Sequence, residues 1–104
     1  MSQSRIEIFE QMLAGDPANT MVMFGLAKEY EKAGGDAKMI ELLERYLAAA
    51  DDEGNAYGML ARAYERAQQG DKARQTYQRG IEVATAHGHP GMAEEYKQIL
   101  QNEF

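Results

Sequence analysis

Between Met23 and Tyr64 the chain repeats itself. The pattern Met23-x-x-Leu26-Ala27-x-x-Tyr30 returns as Tyr57-x-x-Leu60-Ala61-x-x-Tyr64, displaced by 34 residues with no gap. The register continues downstream: Met39 falls on Ala73, Leu43 on Tyr77 and Leu47 on Ile81. A fixed period of this length marks a unit that cannot bury its apolar face alone and must pack against copies of itself. Each copy places a small residue, Ala27 or Ala61, where two helices have to approach closely. One turn later an aromatic, Tyr30 or Tyr64, fills the adjacent gap.

Inside the period the apolar residues recur at three- and four-residue spacing, which is helical. They run Ile6, Phe9 and Leu13; Met23, Leu26, Ala27 and Tyr30; Met39, Leu42, Leu43, Tyr46 and Leu47. The series goes on with Tyr57, Leu60, Ala61 and Tyr64; Ala73, Tyr77, Ile81 and Ala84; and Met92, Tyr96, Ile99 and Leu100. Of the seven methionines, Met12, Met39 and Met92 read as core. Breaks fall at Gly15-Asp16-Pro17, Gly34-Gly35-Asp36, Asp51-Asp52-Glu53-Gly54-Asn55, Gln69-Gly70-Asp71 and His87-Gly88-His89-Pro90-Gly91. Valine, isoleucine and threonine are few and scattered, which disfavours strands. The reading is therefore all-α, with helices near residues 3–14, 20–33, 37–50, 55–69, 72–87 and 91–102. Short connections make sequential helices antiparallel neighbours.

This pattern resembles the tetratricopeptide repeat: an aromatic or Leu, then Leu-Gly/Ala, then Tyr, with small and aromatic positions further on. Phe9, Leu13 and Pro17 fall in the same register as the second helix of a preceding repeat with its closing proline. The resemblance implies an α-solenoid of antiparallel helix pairs forming a single domain over 1–104. It would comprise a half repeat (1–17), two full repeats (20–53 and 54–87) and a capping helix (91–104). Met23 and Tyr57 replace the usual leading Trp, Met39 stands where Ala is preferred, and Gly80 is a small residue inside a helix. Asp51 and Thr85 occupy the closing-proline positions.

Composition narrows the function. With 104 residues the chain is one domain's worth. A net charge of −6 argues against nucleic acid or an anionic membrane as the main partner. The absence of cysteine excludes disulfides, thiolate metal sites and a cysteine nucleophile. No phosphate-binding loop, nucleophile elbow, zinc-protease or EF-hand pattern occurs, so the chain is not expected to be an enzyme or to need a cofactor. His87 and His89, with Asp51 or Glu94 as conceivable co-ligands, read as an exposed interhelical turn rather than as a metal site. The acidic run Asp51-Asp52-Glu53 reads as solvated. The chain start carries no apolar secretory core and no stretch is long enough to span a bilayer, so a soluble, cytoplasmic protein is expected.

Tetratricopeptide proteins bind other proteins, and the resemblance implies a concave groove lined by the first helix of each repeat. In the first repeat the residues not claimed by the core are Met21, Phe24, Lys28, Glu31 and Lys32; in the second, Asn55, Gly58, Arg62, Glu65 and Arg66. Lys28 aligns with Arg62 and Lys32 with Arg66, so bases recur on an acidic protein. That favours an acidic peptide or a carboxylate terminus in a groove of Met21, Phe24, Lys28, Lys32, Asn55, Arg62 and Arg66. The competing reading is a solvated face with Lys28–Glu31 and Arg62–Glu65 pairs, each contributing about 0.3–0.5 kcal/mol. The family's lysine-asparagine clamp for chaperone tails is missing: Phe24, Gly58 and Lys28 stand near its first positions. A second function class is a structural module that associates through its terminal helices, with Ile8 and Phe104 as contact candidates. The expected state is a monomer or weak homodimer.

Overall fold

The computed structural model describes residues 4–104, whose regular structure is α-helical: α1 (Arg5–Gly15), α2 (Thr20–Ala33), α3 (Asp36–Ala49), α4 (Asn55–Arg66), α5 (Gly70–Ala86) and α6 (Pro90–Glu103). Residue 3, where the sequence pattern starts the first helix, lies outside the described residues. Two compact units result, one ending at Ala50 and the other running Asp51–Phe104.

In the first unit α2 packs against both α1 and α3. Ser4 caps α1 by accepting from the Glu7 amide at 3.1 Å, and Asn19 caps α2 by accepting from the Val22 amide at 3.1 Å. The Phe9 ring lies close over Gly25: a Cβ there would stand 3.3 Å from it, a tight contact. Leu13, Val22, Met23, Leu26, Ala27, Met39, Leu42 and Leu43 are buried. Fully burying each leucine contributes about 1.5–3 kcal/mol. Met12 is not core but 48% exposed. It follows Ile8 at four-residue spacing, so the two share an outward stripe while Leu13 turns inward. Arg45 of α3 donates to the Pro17 carbonyl at 3.2 Å and fastens the turn that closes α1.

In the second unit α5 packs against both α4 and α6. Ala56, Met59, Leu60, Ala61, Ala63, Tyr64, Ala73, Tyr77, Ala84, Ala93 and Tyr96 are buried there. Tyr96 of α6 lies on two glycines, one from each neighbouring helix. A Cβ on Gly58 would stand 2.5 Å from the Tyr96 hydroxyl, and one on Gly80 would stand 3.0 Å from its ring. Gly80 is thus small because a tyrosine needs the space. Asp52 steadies the start of α4 by accepting from the Gly54 and Ala56 amides at 2.8 and 3.0 Å.

Three helices close with the same hydrogen-bonded turn. Gly34 and Gly35 donate to the Glu31 and Tyr30 carbonyls, Gln68 and Gln69 to those of Glu65 and Tyr64, and Gly88 and His89 to those of Thr85 and Ala84. The residue that turns is left-handed each time, with φ 77° at Gly34, 63° at Gln68 and 78° at Gly88. This corrects one boundary. The sequence pattern carries the fourth helix to residue 69 and starts the fifth at 72, treating Gly70 as the break. The chain instead turns at Gln68, which ends α4 at Arg66 and makes Gly70 the first residue of α5.

Candidate functional site

The first-helix face of the first unit is built on α2. Met21 stands 84% exposed at its N-terminal end. Phe24, one turn on, is half-buried, its ring 5.1 Å from that of Tyr46 in a tilted pair. The exposed Lys28 sets its ammonium 5.6 Å from the centroid of the Phe24 ring. That cation–π contact, worth about 0.5–1 kcal/mol at an exposed site, takes the place of the Lys28–Glu31 pair that helical spacing suggests. Lys32 is drawn aside: its ammonium lies 3.2 Å from Glu29, whose other oxygen accepts from Arg5 of α1 at 2.9 Å. Lys32 first, and then Arg5, hold the Glu29 carboxyl below its usual range against partial desolvation.

On α4, Asn55, Arg62 and Arg66 are exposed. Asn55 donates to the Met59 sulfur at 3.9 Å. Gly58 is not a surface position: Tyr96 of α6 covers it, so the face that sequence register assigns to residue 58 is closed. Glu65, expected beside Arg62, instead accepts from the Tyr77 hydroxyl at 2.7 Å. Burial, then Glu65, pushes the Tyr77 phenol far above its ordinary range. Glu65 also holds the Glu103 carboxyl above its usual value. Repeat periodicity finds the core positions but not these pairings, which join helices rather than neighbouring turns.

The terminal candidates are both partly exposed, Ile8 at 42% and Phe104 at 44%. The Phe104 ring still packs edge-on to Tyr77 at 6.4 Å. His87 and His89 meet the acidic run in two separate pairs, His87 Nε2 with Asp51 Oδ1 at 3.4 Å and His89 Nε2 with Glu53 Oε1 at 2.5 Å. Asp51 and Glu53 remain largely exposed, as expected of a solvated run, while each also meets a histidine. Among the described residues no three histidine or carboxylate groups converge as metal ligands, and no helix is long and apolar enough to cross a membrane.

Helix pairs recurring at 34 residues, with small residues at the close approach and aromatics beside them, define an all-α helical-repeat protein that works through its surfaces. The chain belongs to the tetratricopeptide repeat family. It is 32% identical over 83 residues to TPR repeat-containing protein PA0015 of Pseudomonas aeruginosa, a match covering 80% of this chain and 79% of that protein. No family model matches the chain. It is therefore a protein-interaction repeat module, and proteins of this family are typically non-enzymatic scaffolds.

Proposed function

We propose that the chain is a soluble, cytoplasmic adaptor that captures a short acidic peptide segment of a protein partner along the first-helix faces of its repeats. The half repeat, the two repeats 20–53 and 54–87 and the last helix act in this reading as one tetratricopeptide domain. The observation that carries it is the equivalence of Lys28 and Arg62. They are exposed bases 34 residues apart (28 to 62), on a chain whose net charge is −6. In α2, Met21 and Phe24 supply apolar contact, and Lys28 is held over the ring at the edge of that contact. Lys32, paired with Glu29, orients the helix face more than it meets the ligand. In α4, Asn55, Arg62 and Arg66 supply polar contact. The test is affinity capture from the source cell with the wild type and with Lys28→Glu/Arg62→Glu, read by mass spectrometry, with helicity and melting compared in parallel. A partner held only by the wild type supports the reading; a partner held equally by a folded double variant overturns it.

A second reading, self-association through the end helices, is favoured by one observation: Ile8 and Met12 expose an apolar stripe one turn long on α1. Sedimentation over a wide concentration range tests it. A dimer that Ile8→Lys or Phe104→Asp converts to monomer supports it, and a wild type that stays monomeric rules it out.

A further inference from the structure

The segment between α3 and α4 is where the chain divides into its two units, and residues 51–53 there belong to no helix. Along residues 51–53 successive side chains go to different partners. Asp52 turns to the start of α4, where Oδ2 accepts from the Gly54 and Ala56 amides. Its neighbours Asp51 and Glu53 turn to the α5–α6 loop and meet His87 and His89. Both pairs span 36 residues (51 to 87, 53 to 89), so they form two parallel rungs between the same two segments.

We propose that Asp51, Glu53, His87 and His89 form a pH-sensitive clasp, fastening the segment that leads into α4 onto the α5–α6 loop when the imidazoles are protonated and releasing it when they are neutral. The chemistry of His87 sets the direction. Its Nδ1 lies 2.9 Å from the Val83 carbonyl, to which it donates, so the neutral ring carries its proton there. The second proton goes to Nε2, the atom that faces Asp51. Protonation thus creates a donor aimed at a carboxylate already in place. The groups facing the imidazoles are the Asp51 and Glu53 carboxylates of the lead segment and the Val83 carbonyl of α5; Asp52 is turned away.

The directions of the His87 and Glu53 titrations agree. The Val83 hydrogen bond first, and then the Asp51 and Glu53 charges, hold His87 above its ordinary 6.5 against some desolvation. His89, foremost, holds the Glu53 carboxyl below its ordinary 4.5. The raised His87 value means that the Asp51–His87 rung is complete below 6.5 and is lost as pH rises through the higher folded value. A lowered carboxylate value means that the clasp fails again only in acid, below the usual carboxylate range. The rungs are exposed, so release is a local loosening rather than unfolding.

Amide hydrogen exchange on the intact chain at pH 6 and pH 8, corrected for intrinsic rates, tests the clasp. Protection over residues 50–56 should fall about five-fold between the two, relative to the interior of α2. It should not change with pH in Asp51→Asn/Glu53→Gln or in His87→Gln/His89→Gln. Proton NMR titration of the imidazoles supplies a second readout: the His87 midpoint drops in Asp51→Asn/Glu53→Gln. Protection at 50–56 that is independent of pH in the wild type overturns the proposal. A His87 midpoint unmoved by loss of both carboxylates overturns it as well.

Discussion

The hydroxyl of Tyr96 donates to the carbonyl of Gly54 at 2.8 Å, joining α6 to the residue just before α4 across 42 positions of chain. The bond is buried, and the ring beneath it occupies the room left by Gly58 and Gly80. Tyr96→Phe removes the donor and leaves the buried carbonyl without it. It should cost about 1–2 kcal/mol in urea denaturation at unchanged helicity.

Gly58→Ala probes the same contact from the other side. Alanine gains roughly 1 kcal/mol over glycine in a helix interior. Here its methyl would meet the Tyr96 hydroxyl at 2.5 Å and ring carbons at 2.8 and 2.9 Å. Overpacking of that kind costs typically about 1–3 kcal/mol. The variant should therefore be less stable than the wild type. Equal or higher stability would mean that Tyr96 yields easily and that Gly58 is not a socket.

Along α1, neighbouring apolar residues should behave in opposite ways. Leu13 is buried, and Leu13→Ala should cost about 2–5 kcal/mol. Ile8 is 42% exposed, and Ile8→Lys should change unfolding free energy by no more than about 0.5 kcal/mol. Thermal and urea melts of the two variants at low concentration make the comparison.

Glu29 makes stability depend on acid. Its side chain is only 11% exposed and is bound by Lys32 and Arg5, which hold the carboxyl below its ordinary 4.5. A value lowered by folding contributes stability that is present above 4.5 and is lost as pH falls through the folded value. Glu29→Gln should melt below the wild type at pH 7, and the two melting temperatures should converge toward the acid end. Parallel melting curves at every pH would place the acid sensitivity elsewhere.

Gln68 holds a left-handed backbone, φ 63°, without being glycine. That conformation costs an L-residue about 1–2 kcal/mol relative to glycine, partly offset by the greater freedom glycine has when unfolded. Gln68→Gly should raise stability by about 0.5–1 kcal/mol, measured as a higher urea midpoint with the same slope.

Much of the fold is legible in the sequence because burial is periodic. Leu26, Ala27, Leu60, Ala61 and Tyr77 are among the residues that the 34-residue register singles out and are buried, whereas Tyr30, Leu47, Tyr57 and Ile81 of the same register are half-buried. Met12 misleads because Ile8 and Met12 keep helical spacing as faithfully as Phe9 and Leu13 do; spacing alone cannot say which stripe faces α2 and α3. Gly58 misleads for a different reason. Register treats residues 24 and 58 as equivalent, yet the tyrosine of α6 lies over only the second. The charged faces show the same limit. Lys28 and Glu31 are correctly spaced to pair, but Phe24 lies within reach of the same ammonium, and Glu65 meets a hydroxyl from the next helix. The histidine rungs join residues 36 apart, a distance on which local pattern carries no information.

Gly34 and Gln68 occupy the same place in successive repeats, and the backbone takes the same left-handed step at both. The bend accordingly belongs to the helix pair and not to the amino acid that happens to make it. Chemistry at that point is then free to diverge: one turn presents bare peptide to solvent, the other an amide side chain. Duplicated units held to a common geometry in this way can acquire different surface identities one residue at a time, each change taxed only by the modest conformational penalty at its own corner.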